Sequence, residues 1–207
     1  MYATRMSLVV ENLSYEYLQG IRVLDDVSFT IEDGETVLIS GPSGCGKSTL
    51  LHCITGLITP TAGTVSIDGK DVTRIKPHSR NIGIMMQDQP LYEHFSVEQN
   101  IAFPLRARGE KKQNVCDVLE QCQLADIATQ KVSKCSGGER RRVAFGRAVI
   151  TKPKVLLLDE PFVSLNVELR KTMSESIANA NVSTLLVSHD FDELSSLYHR
   201  VILFENL

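Results

Sequence analysis

The chain opens with short stretches whose apolar residues alternate or cluster, a spacing that belongs to strands rather than helices. Leu8-Val9-Val10 is a short run of β type, and Val23 to Ile31 (VLDDVSFTI) alternates apolar and polar positions over much of its length. Asp33-Gly34 marks a turn, and Thr36-Val37-Leu38-Ile39 then reads as a strand buried on both faces. A glycine-rich loop follows. Lys47 to Leu57 carries apolar residues at helical spacing until Pro60 and Gly63 interrupt the pattern. Thr64 to Gly69 predicts a half-exposed strand and turn, and Asn81 to Gln87 (NIGIMMQ) predicts another strand.

From about Ser96 to Ala128 the period becomes helical, with Val115, Val118, Leu119 and Cys122 on one face at i, i+3, i+4, i+7 spacing. Gly137 to Ile150 predicts a basic helix, Val155 to Leu158 a central strand, and Val167 to Ala178 a further helix. Thr184 to Ser188 reads as a strand. A short helix near Phe191 to Leu197 and the strand Val201 to Phe204 close the chain. Buried strands separated by helices predict an α/β fold with a mostly parallel sheet covered on both faces. The expected arrangement is one domain, 1–207, in which about 1–87 and 150–207 form the core with an N-terminal antiparallel β part. About 88–149 form an inserted helical subdomain.

Composition narrows the classes. A chain of 207 residues can bury a core without disulfide staples. The formal net charge of −3 excludes a general nucleic-acid binder, which carries a basic excess. No stretch reaches the ~20 consecutive apolar residues of a membrane-spanning helix, and Met-Tyr-Ala-Thr-Arg-Met lacks a signal peptide's apolar core. A cytosolic protein is expected. Cys45, Cys53, Cys116, Cys122 and Cys135 form no CxxC pair and have no histidines that complete a zinc pattern, so they read as free buried or semi-buried thiols.

The chemistry begins at Gly41-Pro42-Ser43-Gly44-Cys45-Gly46-Lys47-Ser48, a full GxxxxGK[ST] match between a buried strand and a helix. Its glycines let the backbone curl so that successive N–H groups face phosphate oxygens, and the helix adds its positive end. Lys47 is expected to neutralise the β- and γ-phosphates of ATP, and Ser48 to ligate Mg²⁺. Cys45 fits this loop as a small residue. Downstream, Val155-Leu156-Leu157-Leu158-Asp159-Glu160 puts two carboxylates at the C-terminal end of a buried strand, the end that faces the ligand crevice of an open α/β sheet. Asp159 is expected in the Mg²⁺ shell and Glu160 as the general base on the attacking water.

Cys135-Ser136-Gly137-Gly138-Glu139 then opens a helix, where Ser136 and the next backbone N–H groups can bind an anion. Together these motifs resemble an ABC transporter nucleotide-binding domain along essentially the whole chain. Cys135 to Glu139 resembles the LSGGQ signature, with Cys for Leu and Glu for Gln. The fold implied is a P-loop ABC-type cassette. By resemblance, Tyr17 (or Tyr15) stacks on adenine, with Val23, Gly41 to Ser48 and Thr49 around the nucleotide. Gln87 contacts Mg²⁺ and senses the permease, and His189 contacts the γ-phosphate. The catalytic group so implied is Glu160, His189, Gln87 and Lys47, with Ser48, Gln87 and Asp159 at the metal.

The resemblance also implies a head-to-tail dimer, in which each ATP lies between one copy's Lys47 loop and the other's Ser136, Gly137, Gly138 and Glu139. The partners implied are membrane permease subunits on the cytoplasmic face, a second copy or close relative, and an extracytoplasmic solute-binding protein, with no nucleic acid. Ser79 to Gln87, Leu91 to His94, Val97 to Ile101 and Leu165 to Arg170 are similar to binding-protein-dependent importers. The alternative is the ATPase of a mechanotransmission complex of the lipoprotein-release or cell-division type. A soluble ABC ATPase of translation or repair would carry two cassettes or a long coiled-coil insertion, and neither is in this sequence. The family's SALD segment reads Ser164-Leu165-Asn166 here, losing a carboxylate. Arg140, Arg141 and Arg142 read as the solvated face and core edge of the signature helix, or as a surface anion patch.

Overall fold

A long hairpin begins the structure, a computed structural model that describes residues 5–17, 20–88, 90–110, 114–163, 165–188 and 195–204. Strands β1 (Met6–Tyr17) and β2 (Ile21–Glu32) pair antiparallel from Met6↔Glu32 to Tyr17↔Ile21. The first strand is therefore much longer than Leu8 to Val10. Hairpin and neighbour-strand hydrogen bonds carry it through Glu11, Ser14 and Glu16, polar residues that an apolar-run criterion passes over. Strands β3 (Thr36–Ser40), β4 (Ala62–Ile67) and β5 (Lys70–Asp71) follow, the last two completing an antiparallel sheet in the order β2-β1-β4-β5.

The chain divides into two compact units, the first being Met1–Ile82, Lys154–Asp159 and Val182–Leu207, the second Gly83–Pro153 and Glu160–Asn181. The second unit opens within β6 (Ile82–Met85), shorter than the strand predicted over Asn81 to Gln87. Asn81 is left-handed at φ 55°, which ends the extended run on one side. On the other, Gln87 lies in a turn rather than at the strand end.

Within the first unit β3 belongs to a parallel sheet with β7 (Val155–Asp159), β8 (Ser183–Val187) and β9 (Arg200–Leu203). Its ladder runs β7-β8-β3-β9, with Leu157↔Leu185, Leu38↔Leu186 and Leu38↔Val201 in register. Every residue of β3, β7 and β8 is buried, the condition that turns a parallel strand into a continuous apolar run. Helix α1 (Lys47–Thr55) follows β3 through the glycine-rich loop. It stops at Thr55, short of Leu57, because Gly56 turns left-handed at φ 78° and donates back to the Cys53 and His52 carbonyls.

Arg80 secures that helix end. It is 3% exposed, and its guanidinium donates to the carbonyls of Cys53 (2.9 Å), Ile54 (2.8 Å), Thr73 (2.8 Å) and Ile75 (2.8 Å). Two of these carbonyls belong to the last turn of α1, where a cation also meets the negative end of the helix dipole. One side chain thus ties α1 to the segment after β5. Burial pushes the Cys53 thiol up to about 12, which keeps it neutral beside this cation.

Helices α2 (Val97–Ala107), α3 (Val115–Gln121), α4 (Gly137–Val149) and α5 (Val167–Ala180) belong to the second unit. Val115, Val118, Leu119 and Cys122 are all buried, as their spacing predicts, and burial pushes the Cys122 thiol up to about 12. The cysteines are all free, and Cys116 departs from expectation by being exposed. Tyr92, Phe95 and Phe103 cluster where α2 begins, with the Tyr92 and Phe103 centroids 4.5 Å apart. Gln121 joins α3 to α5, its side-chain amide donating to the Ser176 carbonyl at 3.0 Å. The helix predicted near Phe191 to Leu197 falls largely outside the described residues. No helix among the described residues is long and apolar enough to cross a membrane.

Replacing Arg80 by alanine leaves four carbonyls without their donor. Hydrogen bonds to a charged group contribute about 1.5–3 kcal/mol each, and water entering the vacated space recovers part of that. Arg80→Ala is expected to lower the unfolding free energy by about 3 kcal/mol in urea denaturation. An unchanged denaturation midpoint would show that the α1 terminus is held by other means.

Candidate functional site

The glycine-rich loop between β3 and α1 is wedged between two other stretches of backbone. A Cβ on Gly46, which sits at φ 100°, would lie 2.9 Å from the Val23 carbonyl oxygen and 3.0 Å from Val23 Cγ1. A Cβ on Gly41 would collide outright with the Phe204 carbonyl oxygen. The loop can therefore follow this path only where those side chains are missing. Val23, expected at the nucleotide, packs against the loop on the β2 side. The Phe204 N–H donates to the Ser40 carbonyl at 2.6 Å, fixing the other side.

Lys47 turns its ammonium into the loop. Its Nζ donates to the carbonyls of Gly41 and Pro42, both at 2.7 Å, and lies 3.7 Å from Cys45 Sγ. Both Lys47 and Cys45 are buried. The positive end of α1, the loop amides and this cation together make a cradle for a polyanion. Tyr17 stands at the end of β1, 44% exposed, with its hydroxyl 3.2 Å from Thr49 Oγ1 in the first turn of α1. Tyr15 meets its ring edge-on at 4.9 Å. Of the two aromatics expected at adenine, Tyr17 is the one tied to the helix that follows the loop.

Asp159 ends β7 and is 4% exposed. The Ser48 hydroxyl reaches its Oδ2 at 3.5 Å, although the two residues are 111 positions apart. The parallel ladder β7-β8-β3 produces this meeting by bringing the ends of β7 and β3 to one side of the sheet. A hydroxyl and a carboxylate are hard oxygen donors of the kind Mg²⁺ takes when phosphate oxygens and water complete its shell. No group of three or more His, Cys, Asp or Glu that could hold an ion by itself occurs among the described residues. The donor set thus fits a cation that arrives with a phosphate ligand.

Glu160 follows directly and is 6% exposed, with its backbone left-handed at φ 51°. A non-glycine residue in that region is held there by its surroundings, at a cost of about 1–3 kcal/mol. The kink breaks the strand between Asp159 and Glu160, so the two carboxylates do not continue the alternation of β7.

In the second unit, Gln87 is exposed in its turn. Ser136 is the N-cap of α4 and forms a capping box: the Glu139 N–H donates to Ser136 Oγ at 3.3 Å, and the Ser136 N–H to Glu139 Oε2 at 2.7 Å. A Cβ on Gly138 would lie 2.9 Å from Leu169 Cδ1, so this turn of α4 sits close against α5. Asn166 caps α5, its Oδ1 accepting from the Leu169 N–H at 2.9 Å. Ser164 and His189, both singled out in the sequence, lie outside the described residues.

The arginine run is more engaged than a solvated face. Arg140 donates to both carboxylate oxygens of Glu93, at 3.0 and 2.5 Å, and holds that carboxyl below its usual range. Arg141 is half-buried and donates to the carbonyls of Glu160, at 3.3 Å, and Val163. Sequence reasoning missed these contacts, because a run of three arginines carries no sign of which member turns inward.

A strand, a glycine loop and a helix whose N-terminal end can receive a polyanion, on an α/β core, define a P-loop nucleotide-binding cassette. The chain belongs to the ABC transporter family, whose model matches residues 24–163. It is 38% identical to the "Fe(3+) ions import ATP-binding protein FbpC" of Mannheimia succiniciproducens over 94% of this chain and 58% of that protein. The chain therefore spans little more than half the length of that relative. It is 37% identical to the "Probable sulfate/thiosulfate import ATP-binding protein CysA" of Chlorella vulgaris over 97% of this chain and 88% of that protein. Its fold matches the dimeric bacterial ABC transporter cassette MJ0796 with a TM-score of 0.87 and 26% identity, covering 96% of this chain and 94% of that one.

The capping box accounts for glutamate where the signature has glutamine, since either side chain can accept from the Ser136 N–H. Glu139→Gln is expected to leave the denaturation midpoint unchanged, whereas Ser136→Ala lowers stability by about 1 kcal/mol. Equal midpoints for both variants would show that the box contributes nothing to α4.

Proposed function

We propose that this chain is the ATP-binding and hydrolysing subunit of an ABC transporter, working as a dimer around two ATP molecules to power solute import through a separate permease. The observation that carries the reading is the meeting of Ser48 and Asp159 at the phosphate loop, 3.5 Å apart. The import names of the iron and sulfate/thiosulfate relatives support the direction, and the dimeric cassette MJ0796 supports the assembly.

In this reading Tyr17 stacks on adenine, and the backbone from Gly41 to Ser48, with Val23 and Thr49 beside it, encloses the phosphates. Lys47 turns from the Gly41 and Pro42 carbonyls to the β- and γ-phosphates. Ser48, Asp159 and Gln87 would hold Mg²⁺, which would neutralise phosphate charge. The Glu160 carboxylate accepts a proton from water as the water oxygen bonds to the γ-phosphorus. The bond to the β–γ bridging oxygen breaks, and ADP departs as the leaving group. His189 contacts the γ-phosphate, and Ser136, Gly137, Gly138 and Glu139 of a second copy close over it. Loss of the γ-phosphate then removes the bridge between copies, which is what drives opening.

The dimer sits at the cytoplasmic face of a membrane through its permease, with a solute-binding protein on the far side. The core of about 1–87 and 150–207 carries the nucleotide, and the helical part of about 88–149 carries the signature and meets the permease.

Removing the base while keeping its shape tests this. Glu160→Gln is expected to lower ATP turnover by about 100-fold or more while retaining ATP binding and shifting the chain to a dimer in light scattering. Captured with ATP from detergent-solubilised source membranes, it should bring down a multi-span permease. A few-span protein with a large extracytoplasmic domain would move the assignment to mechanotransmission. Recovery of soluble proteins alone would overturn the transporter reading, and unchanged turnover would remove Glu160 as the base.

A further inference from the structure

Glu160 turns left-handed at φ 51°, so its carboxylate points where it does only because the backbone is held on either side of the kink. The residue before it is fixed by the β7 ladder, through Asp159↔Val187. On the other side the chain runs through Pro161, Phe162 and Val163 before α5 begins, and there Arg141 intervenes. Its Nη1 donates both to the Glu160 carbonyl, at 3.3 Å, and to the Val163 carbonyl, so one guanidinium nitrogen bridges the two ends of the turn. Arg141 itself sits in the second turn of α4, whose first turn is closed by the Ser136–Glu139 box and lies against Leu169 at Gly138.

We propose that Arg141 is a positioning residue for Glu160, setting the direction of its carboxylate by clamping the backbone that leaves it to the signature helix. The inference rests on the reading of Glu160 as general base. Arg141 is fastened to main-chain carbonyls and not to the reacting atoms, so it acts through Glu160 alone. A base displaced by a fraction of an ångström loses rate steeply while the nucleotide, held by the Lys47 loop, binds as before. Moving the start of α4, where the signature lies, would also move the clamp.

The full chain with MgATP provides the test, reading kcat, KM, ATP affinity and the denaturation midpoint. Arg141→Ala is expected to lower kcat by about 10- to 100-fold, with KM and ATP affinity within about twofold of wild type. Arg141→Lys, which retains a charged donor of similar length, should recover a large part of that loss. In the Glu160→Gln background Arg141→Ala should cause no further loss, since both changes then disable one unit. Wild-type kcat in Arg141→Ala, beside an inactive Glu160→Gln, would overturn the positioning role. So would a fall in kcat matched by equal losses of ATP affinity and midpoint and not relieved by lysine, the pattern of a purely structural contact. Full activity in Glu160→Gln would instead overturn the reading beneath it.

Discussion

Backbone packed against backbone is the constraint on which this structure rests. The phosphate loop passes so close to the Val23 and Phe204 carbonyls that no Cβ fits at Gly46 or Gly41. Those two carbonyls come from β2 and from the residue that follows β9, near opposite ends of the sequence. The loop's path is thus bounded on one side by the antiparallel hairpin and on the other by the chain that leaves the last parallel strand. Its own carbonyls at Gly41 and Pro42 are then drawn together by the Lys47 ammonium. Two carbonyl oxygens satisfy that buried cation without neutralising its charge, which makes the loop receptive to a polyanion.

The parallel sheet supplies the second half of the site. Strand order β7-β8-β3 places one strand between the end of β3 and the end of β7, yet helix α1 begins at Lys47 and reaches Ser48 back toward Asp159. Two oxygen donors from distant sequence thus meet beside the loop without a dedicated metal cage. That arrangement suits a cation delivered with its phosphates. It also explains why sequence spacing shows no metal-binding cluster, because topology alone brings the partners together.

Legibility followed the kind of physics at each position. The buried strands β3, β7 and β8 are apolar along much of their length, and the GxxxxGK[ST] loop has a fixed local geometry, so both were plain in the sequence. The full extent of β1 was not, since ladder hydrogen bonds extend it through polar residues. Strand β6 is shorter than predicted at both ends, with left-handed Asn81 before it and the turn at Gln87 after it, and no hydrophobic pattern reports a backbone dihedral. Arg80 and Arg141 were hidden for a related reason. An arginine on carbonyl oxygens has no partner residue type to announce it, and its role depends on which backbone ends nearby.

The departures from the family pattern become intelligible from the job each side chain's atoms do. Glu139 closes the capping box on Ser136 with one carboxylate oxygen, a task glutamine performs with its amide oxygen. Asn166 stands where an aspartate is usual and accepts the Leu169 N–H with its Oδ1, and asparagine and aspartate are near equals as N-caps. At both helix starts the change alters charge and leaves the backbone hydrogen bonding intact. What such changes affect is therefore the field around the helix ends, while the capping hydrogen bond at each start is kept. The path of the chain from Glu160 to Val163 is held from the side by Arg141, so a lost charge at Asn166 need not disturb the direction of the Glu160 carboxylate.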